Sequence, residues 1–251
     1  SAKPLWPSDV ARHILPTVDS TNAHALRLAP KFSGPAWFLG LEQTAGRGRR
    51  ARPWASPRGN FYATLLLHPT EPAEHVALRS FVAALALLQA LVALTGLPEA
   101  FALKWPNDVL LNGGKVAGIL LESIGAGQGV AHLAIGIGVN LIGAPDHAQL
   151  EQGAVLPVSL LGETGLRVEP EACLDALAAA YAQWEATFVA QGFAPVRSEW
   201  LGHAAKLGEP IRARTGSQTR DGIFETIDSA GNLILRTNQG PVAISAAEVF
   251  F

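Results

Sequence analysis

The longest apolar run, Phe81 to Leu94, is 14 residues long and broken only by Gln89. A bilayer span needs roughly 18 or more such residues, so the run is read as a buried helix rather than a membrane anchor. Such a helix demands a core. The chain's 251 residues suffice for one sizeable core plus a small appendage. Hydrophobic residues make up 49% of the chain, and 19 basic against 21 acidic residues leave a formal charge of −2. That balance excludes collagen-like, coiled-coil and disordered classes, and it disfavours a general nucleic-acid binder, so any polyanion site is local. The single cysteine, Cys173, cannot form an internal disulfide and is read as a core residue. Together with the lack of a signal-like N-terminus, it points to a cytoplasmic protein. No Met is present, and Ser1 is expected to follow a removed initiator or to be an artificial end.

Around the apolar run the chain reads as strands interleaved with some helices. Asp19, Ser20 and Thr21 precede an Ala/Leu stretch to Leu28, an N-capped short helix. Strands are expected at Ala36–Leu41, Phe61–Leu67, Phe101–Lys104 and Val130–Val139. A hairpin joins Val109–Leu111 to Lys115–Glu122 through Asn112, Gly113 and Gly114. Helices are expected over Glu71–Leu94, Pro170–Val189 and Pro195–Leu201. This pattern predicts an α/β (α+β) fold, a mixed sheet covered on one face, without doubly wound alternation. After His203, four brief β-like runs separated by Gly turns predict a small β-barrel of about 45 residues. A unit that size docks on the larger domain, because it buries little apolar surface alone.

Three segments carry unusual chemistry. Between Gln43 and Asn60 lies a turn-rich loop with Arg47, Arg49, Arg50, Arg52 and Arg58, and no acid intervenes between Glu42 and Glu71. Glycines at 46 and 48 let the backbone curl, and Arg forks grip carboxylate or phosphate oxygens. The same composition also suits a solvated basic loop or a contact with an acidic partner. The second segment is Lys104-Trp105-Pro106-Asn107-Asp108, in which Asn107 and Asp108 offer hard oxygens suited to a nucleotide-borne Mg²⁺, or to an Asx turn. In the third, Lys115 enters the apolar stretch Val116–Leu120, where an anion would compensate its charge, although it could also snorkel to solvent. Gly136-Ile137-Gly138-Val139-Asn140 closes a strand rather than opening a helix, so its glycines admit close approach of a ligand or second strand. The seven histidines, at 13, 24, 68, 75, 132, 147 and 203, have no metal-ligand spacing.

In this order the motifs resemble those of the biotin protein ligases: DSTN at 19–22, Gln43, GRGRR at 46–50, KWPND at 104–108, KVAGIL at 115–120, GIGVN at 136–140, then the small β terminus. The resemblance implies a catalytic domain over 1–204, related to class II aminoacyl-tRNA synthetases and lipoate ligases, and an SH3-like barrel over 205–251. With DSTN arriving at residue 19, the monofunctional type without a DNA-binding domain is expected. The implied activity is ATP-dependent: biotin becomes biotinyl-5′-AMP, and the biotinyl group passes to one lysine of a biotin carboxyl carrier domain. ATP and biotin are the substrates, with Mg²⁺ as cofactor. Neither nucleic acid nor membrane is an expected partner, and the protein is a monomer or homodimer.

Carried over by position, Ser20, Thr21, Asn22, Gln43, Arg47, Gly48, Arg49 and Lys115 are the expected biotin site. Arg49, Trp54, Lys104, Asn107, Asp108, Lys115 and Asn140 are the expected ATP site, and Asp108 the expected Mg²⁺ ligand. Lys115, Arg49 and Arg47 are the expected catalytic cations, and the Arg loop is read as a lid. Two positions depart from the family pattern: Ala51 and Ala247 stand where Gly is common. Two alternatives share parts of this reading, a lipoate or octanoate ligase and a catalytically idle biotin or nucleotide sensor.

Overall fold

A computed structural model describes residues 2–126, 129–146 and 150–251; His147 lies outside them. The chain runs β1 (Ala11–Leu15), α1 (Thr21–Leu28), β2 (Ala36–Gly40), β3 (Phe61–Leu67), α2 (Ala73–Val76), α3 (Arg79–Thr95), β4 (Phe101–Lys104), β5 (Asp108–Leu111), β6 (Gly114–Ala126) and β7 (Gly129–Val139). It continues with α4 (Leu160–Thr164), α5 (Pro170–Gln191), α6 (Phe193–Gly202), β8 (Pro210–Thr215), β9 (Gln218–Ile227), β10 (Leu233–Thr237), β11 (Gly240–Ile244) and β12 (Glu248–Phe250).

The first seven strands form one mixed sheet in the order β1-β2-β3-β7-β6-β5-β4. Only β1 and β2 pair in parallel, and α1 makes the crossover between them. Strand β1 escapes sequence reading because Arg12 and His13 interrupt its apolar alternation, and its pairing partner lies across that crossover. The expected helix over Glu71–Leu94 is instead two helices, since Ala77 and Leu78 separate α2 from α3. Gly96 then ends α3 in the left-handed region at φ 71°, a conformation that carries little penalty without a Cβ.

The apolar helix α3 is buried as expected and lies against α5, α6 and the strands β4 to β6. Expected cover on one face needs correction, because side chains alternate across a strand. Trp37 of β2 meets Tyr181 of α5 edge-on at 6.2 Å. The next residue, Phe38, points the other way into a separate cluster with Ala25 and Ala29. Helix α1 therefore covers part of the second face and leaves the rest open for a site.

Helices α3 and α5 are joined by ions as well as by apolar packing. The Arg79 side chain is 4% exposed and reaches Glu71 at 2.7 Å and Glu185 at 2.8 Å. Its guanidinium lies 5.1 Å over the Phe188 ring, and Tyr181 donates its hydroxyl to Glu185 at 2.9 Å.

The last five strands form a single antiparallel sheet in the order β11-β10-β9-β8-β12. It is docked, as its size requires. Trp105 donates its indole N–H to the Gly231 carbonyl at 3.1 Å, and Arg197 Nε donates to the Ile227 carbonyl at 2.6 Å. Phe81, the first residue of the apolar run, packs on the same turn: a Cβ at Gly231 would sit 2.7 Å from its ring.

Replacing Arg79 by Met leaves two carboxylates beside Phe188 without their cation. Urea titration should show a loss of roughly 3 kcal/mol, with Arg79→Lys recovering part of it.

Candidate active site

The open part of the second sheet face is the floor of a cleft of about 360 Å³. It is lined by β6, β7, the N-terminus of α1, the Arg loop and the last residues of the chain. The glycines of the GIGVN string make this floor low. A Cβ on Gly136 would come 2.4 Å from Asn22 Oδ1, and one on Gly138 would come 2.9 Å from the Trp54 indole. Those glycines admit two of this chain's own side chains, which the sequence reading did not foresee, and both also line the cleft where a ligand was expected to approach.

At one end of the cleft stands the start of α1. Ser20 is its N-cap, and the buried Ser20, Thr21 and Asn22 are tied into a polar network. Asp19 just outside accepts from Arg27 Nη1 at 2.8 Å and Nη2 at 2.9 Å, and this hydrogen bonding holds its carboxyl at about 2. Thr21 N donates to Gln43 Oε1 at 2.9 Å, and Gln43 Nε2 donates to Ser56 Oγ at 2.9 Å. Asn22 accepts from Thr64 Oγ1 at 2.6 Å and donates to the Leu120 carbonyl at 3.2 Å and to Glu122 at 3.0 Å. Its amide is thus occupied by the protein.

The Arg loop forms the roof. Gly48 N donates to the Arg52 carbonyl at 2.7 Å, closing a tight turn in which Arg50 and Ala51 both sit at φ 57°. Ala51, one of the two departures from Gly, therefore occupies the left-handed region, whereas Ala247 is not among the positive-φ residues. Acids absent from the loop itself arrive from elsewhere in the chain. Arg47 pairs with Glu122 at 2.9 Å, and Glu248 accepts from Arg50 at 3.3 Å, Arg52 at 3.0 Å and Arg214 at 2.9 Å. Arg58 faces away, donating to the Pro16 carbonyl at 3.1 Å.

At the other end, β4, β5 and β6 gather the charges. Lys115 Nζ lies 2.9 Å from Asp108 Oδ1, and Lys104 Nζ lies 3.8 Å from Asp108 Oδ2. Lys104 is buried, and burial lowers its pKa, with Asp108 opposing and Lys115 and Arg49 reinforcing the shift. Burial likewise lowers that of Arg49, which donates Nη2 to the Ala247 carbonyl at 3.3 Å. Lys115 also lies 5.6 Å over the Trp54 ring. Three cations, Arg49, Lys104 and Lys115, thus surround one carboxylate and leave a local excess of positive charge suited to anions.

Nearly every residue expected from the sequence meets in this cleft: Ser20, Thr21, Asn22, Gln43, Arg47, Gly48, Arg49, Trp54, Lys104, Asp108, Lys115 and Asn140 all line it. Asn107 does not. Its Nδ2 donates to the Ile119 carbonyl and its own carbonyl accepts from Ile119 N, both at 3.0 Å, so it braces the turn. Asn140 is buried and donates Nδ2 to the Val158 carbonyl at 3.1 Å. Asp108 does not fit a protein-held Mg²⁺, because Lys115 is bonded to one of its oxygens and Lys104 faces the other. Among the described residues no group of three or more His, Cys, Asp or Glu could hold a metal ion.

Sequence reading missed Glu122 and Glu248, which lie 75 positions from Arg47 and 198 and 196 positions from Arg50 and Arg52. Their only signal is the missing acid in the loop, which shows that counter-charges must come from a distance.

Comparison with known proteins agrees with this geometry. Residues 16–140 match the model of the Biotin/lipoate A/B protein ligase family, and residues 206–251 match that of the Biotin protein ligase C terminal domain. A Biotin--[acetyl-CoA-carboxylase] ligase of Paracoccus denitrificans is 59% identical over 238 residues, covering 95% of this chain and 99% of that protein. The Bifunctional ligase/repressor BirA of Escherichia coli (strain K12) is 31% identical over 226 residues, covering 88% of this chain and 68% of its own length. The solved biotin protein ligase of Aquifex aeolicus in complex with biotin and ATP superposes with a TM-score of 0.79 at 25% identity, covering 95% of this chain and 98% of that one. Motif order, cleft geometry and these likenesses agree, and the chain belongs to the biotin protein ligases.

Proposed function

We propose that this protein activates biotin with ATP as biotinyl-5′-AMP and transfers the biotinyl group to a lysine on the carboxyl carrier domain of a biotin-dependent carboxylase. The observation that carries this reading is the convergence of Arg49, Lys104 and Lys115 on one cleft whose far end is the polar start of α1. In the first step a carboxylate oxygen of biotin attacks the α-phosphorus of ATP, and pyrophosphate leaves with the bonding electrons. In the second the neutral ε-amine of the carrier lysine attacks the acyl carbon of the mixed anhydride, loses its proton, and AMP departs.

The obstacle in the first step is repulsion between two anions. Unit charges 4 Å apart interact by about 4 kcal/mol at an effective dielectric of 20, and each nearby cation returns a similar amount. In this reading Lys115 holds the biotin carboxylate, with Arg47, Gly48 and Arg49 closing over carboxylate and phosphate. Ser20, Thr21 and Gln43 are the candidates for the ring end, with Asn22 as their brace. Trp54, Lys104 and Asn140 stand where the nucleotide is expected. Positioning and exclusion of water carry the rate, without a covalent enzyme intermediate. A Mg²⁺ arriving on the nucleotide adds charge neutralisation, and the protein cations act beside it.

Residues 1–204 are read as the catalytic domain and 205–251 as an SH3-like domain. The buried Cys173 thiol, pushed up to about 12 by burial, plays no part and suits a cytoplasmic setting. The GRGRR and KWPND strings, together with the biotin ligase relatives, favour biotin over lipoate, and the intact set of cations favours catalysis over sensing.

Incubation with biotin, MgATP and a carrier domain should add one biotinyl mass to the carrier, read by intact mass spectrometry; a carrier of unchanged mass would refute the reading. Lys115→Ala should keep the fold by circular dichroism and slow biotin-dependent pyrophosphate release by about a hundredfold or more. Ala51→Gly removes roughly 1 kcal/mol of left-handed strain from the placed loop. It should therefore lower the KM for ATP by up to about fivefold in a pyrophosphate assay.

A further inference from the structure

The Arg loop adopts an unfavourable backbone. Two consecutive residues with side chains, Arg50 and Ala51, hold left-handed conformations at φ 57°, which L-residues avoid and which persist only where surroundings enforce them. The enforcing contacts come from β12, almost two hundred residues further on. Glu248 accepts from Arg52 Nη1 at 3.0 Å and Nη2 at 3.3 Å, and from Arg50 Nη1 at 3.3 Å. Arg49 donates to the carbonyl of the preceding residue, Ala247, at 3.3 Å. On its other side Glu248 accepts from Arg214 of β8 at 2.9 Å, and Arg214 also reaches Glu151 at 2.7 Å, beside the cleft-lining segment 154–157.

Three hydrogen bonds therefore hold Arg50 and Arg52 on either side of Ala51, and a fourth holds the guanidinium of Arg49 between β12 and the cleft. We infer that Glu248 is a positioning residue for biotin activation: it clasps Arg50 and Arg52 so that Arg49 is presented to the anions, making the C-terminal sheet part of the adenylating machinery. Glu248 acts through the loop. Its side chain is 25% exposed. Burial pushes its carboxyl up, but Arg52 and Arg214 outweigh burial and hold it at about 2, so it stays ionised across neutral pH. A single exposed ion pair holds little, but one carboxylate shared by three guanidiniums is a network in which each partner orders the others.

The test compares Glu248→Gln, near-isosteric but uncharged, and Glu248→Asp with the parent chain. One arm is independent of the activity reading: trypsin cleavage after Arg49 and Arg50, followed by mass spectrometry. The other is biotin-dependent pyrophosphate release, with kcat and KM for ATP measured separately, and it rests on the function proposed above. In Glu248→Gln we expect cleavage and the KM for ATP each to rise roughly fivefold to tenfold, with the thermal midpoint little changed and Glu248→Asp partly restored. Equal cleavage rates in parent and Glu248→Gln would overturn the clasp, whatever the activity. Faster cleavage with unchanged kcat and KM would overturn its role in positioning. A parent chain that releases no pyrophosphate would refute the activity reading instead, and cleavage rates alone would then decide the clasp.

Discussion

Like charges held close together dominate this molecule. Arg49, Lys104 and Lys115 surround Asp108 in the cleft, and Lys104 is buried. Cations packed this way repel one another unless anions join them, and Asp108, with Glu248 already shared among three other arginines, leaves positive charge in excess. The cleft is therefore built to be completed by ligands. Two substrates that would repel each other in water, a carboxylate and a polyphosphate, are the charges it lacks.

Holding such a cluster requires a rigid frame. The β4–β5 turn sets Lys104 and Asp108 at its two ends, and Asn107 locks that turn to β6 with two hydrogen bonds. Strand β6 then brings Lys115 across to Asp108. Behind the sheet, the apolar α3 and its ion-paired contact with α5 supply the core that makes those strands stiff. Ahead of the sheet, the polar chemistry has room because β7 carries glycine where Asn22 and Trp54 must approach. One face supplies rigidity and the other supplies the site.

The C-terminal sheet belongs to the same frame. Trp105 and Phe81 secure it to the larger domain, and β12 meets the Arg loop directly. This arrangement explains how Ala51 tolerates a backbone suited to Gly: contacts from a distant strand offset a local penalty of about 1 kcal/mol.

Much of this was legible in the sequence. The buried helix, most of the strands and the segments that meet in the cleft follow from apolar periodicity, turn residues and short charged strings, all of them local signals. The apolar run had to be interior, and Lys115 in an apolar strand called for either an anion or a path to solvent; the structure pairs it with Asp108. What the sequence could not state was which charges answer which. Glu122 and Glu248 sit beside Arg47, Arg50 and Arg52 only because strands far apart in the chain fold together. For the same reason Asn107, Asn22 and Asp108 proved to have protein partners. Strand β1 and the second covered face likewise came from pairing across a crossover. Local sequence sets what each residue needs, and because burial and charge act over distance in space rather than along the chain, only the tertiary structure decides what meets that need.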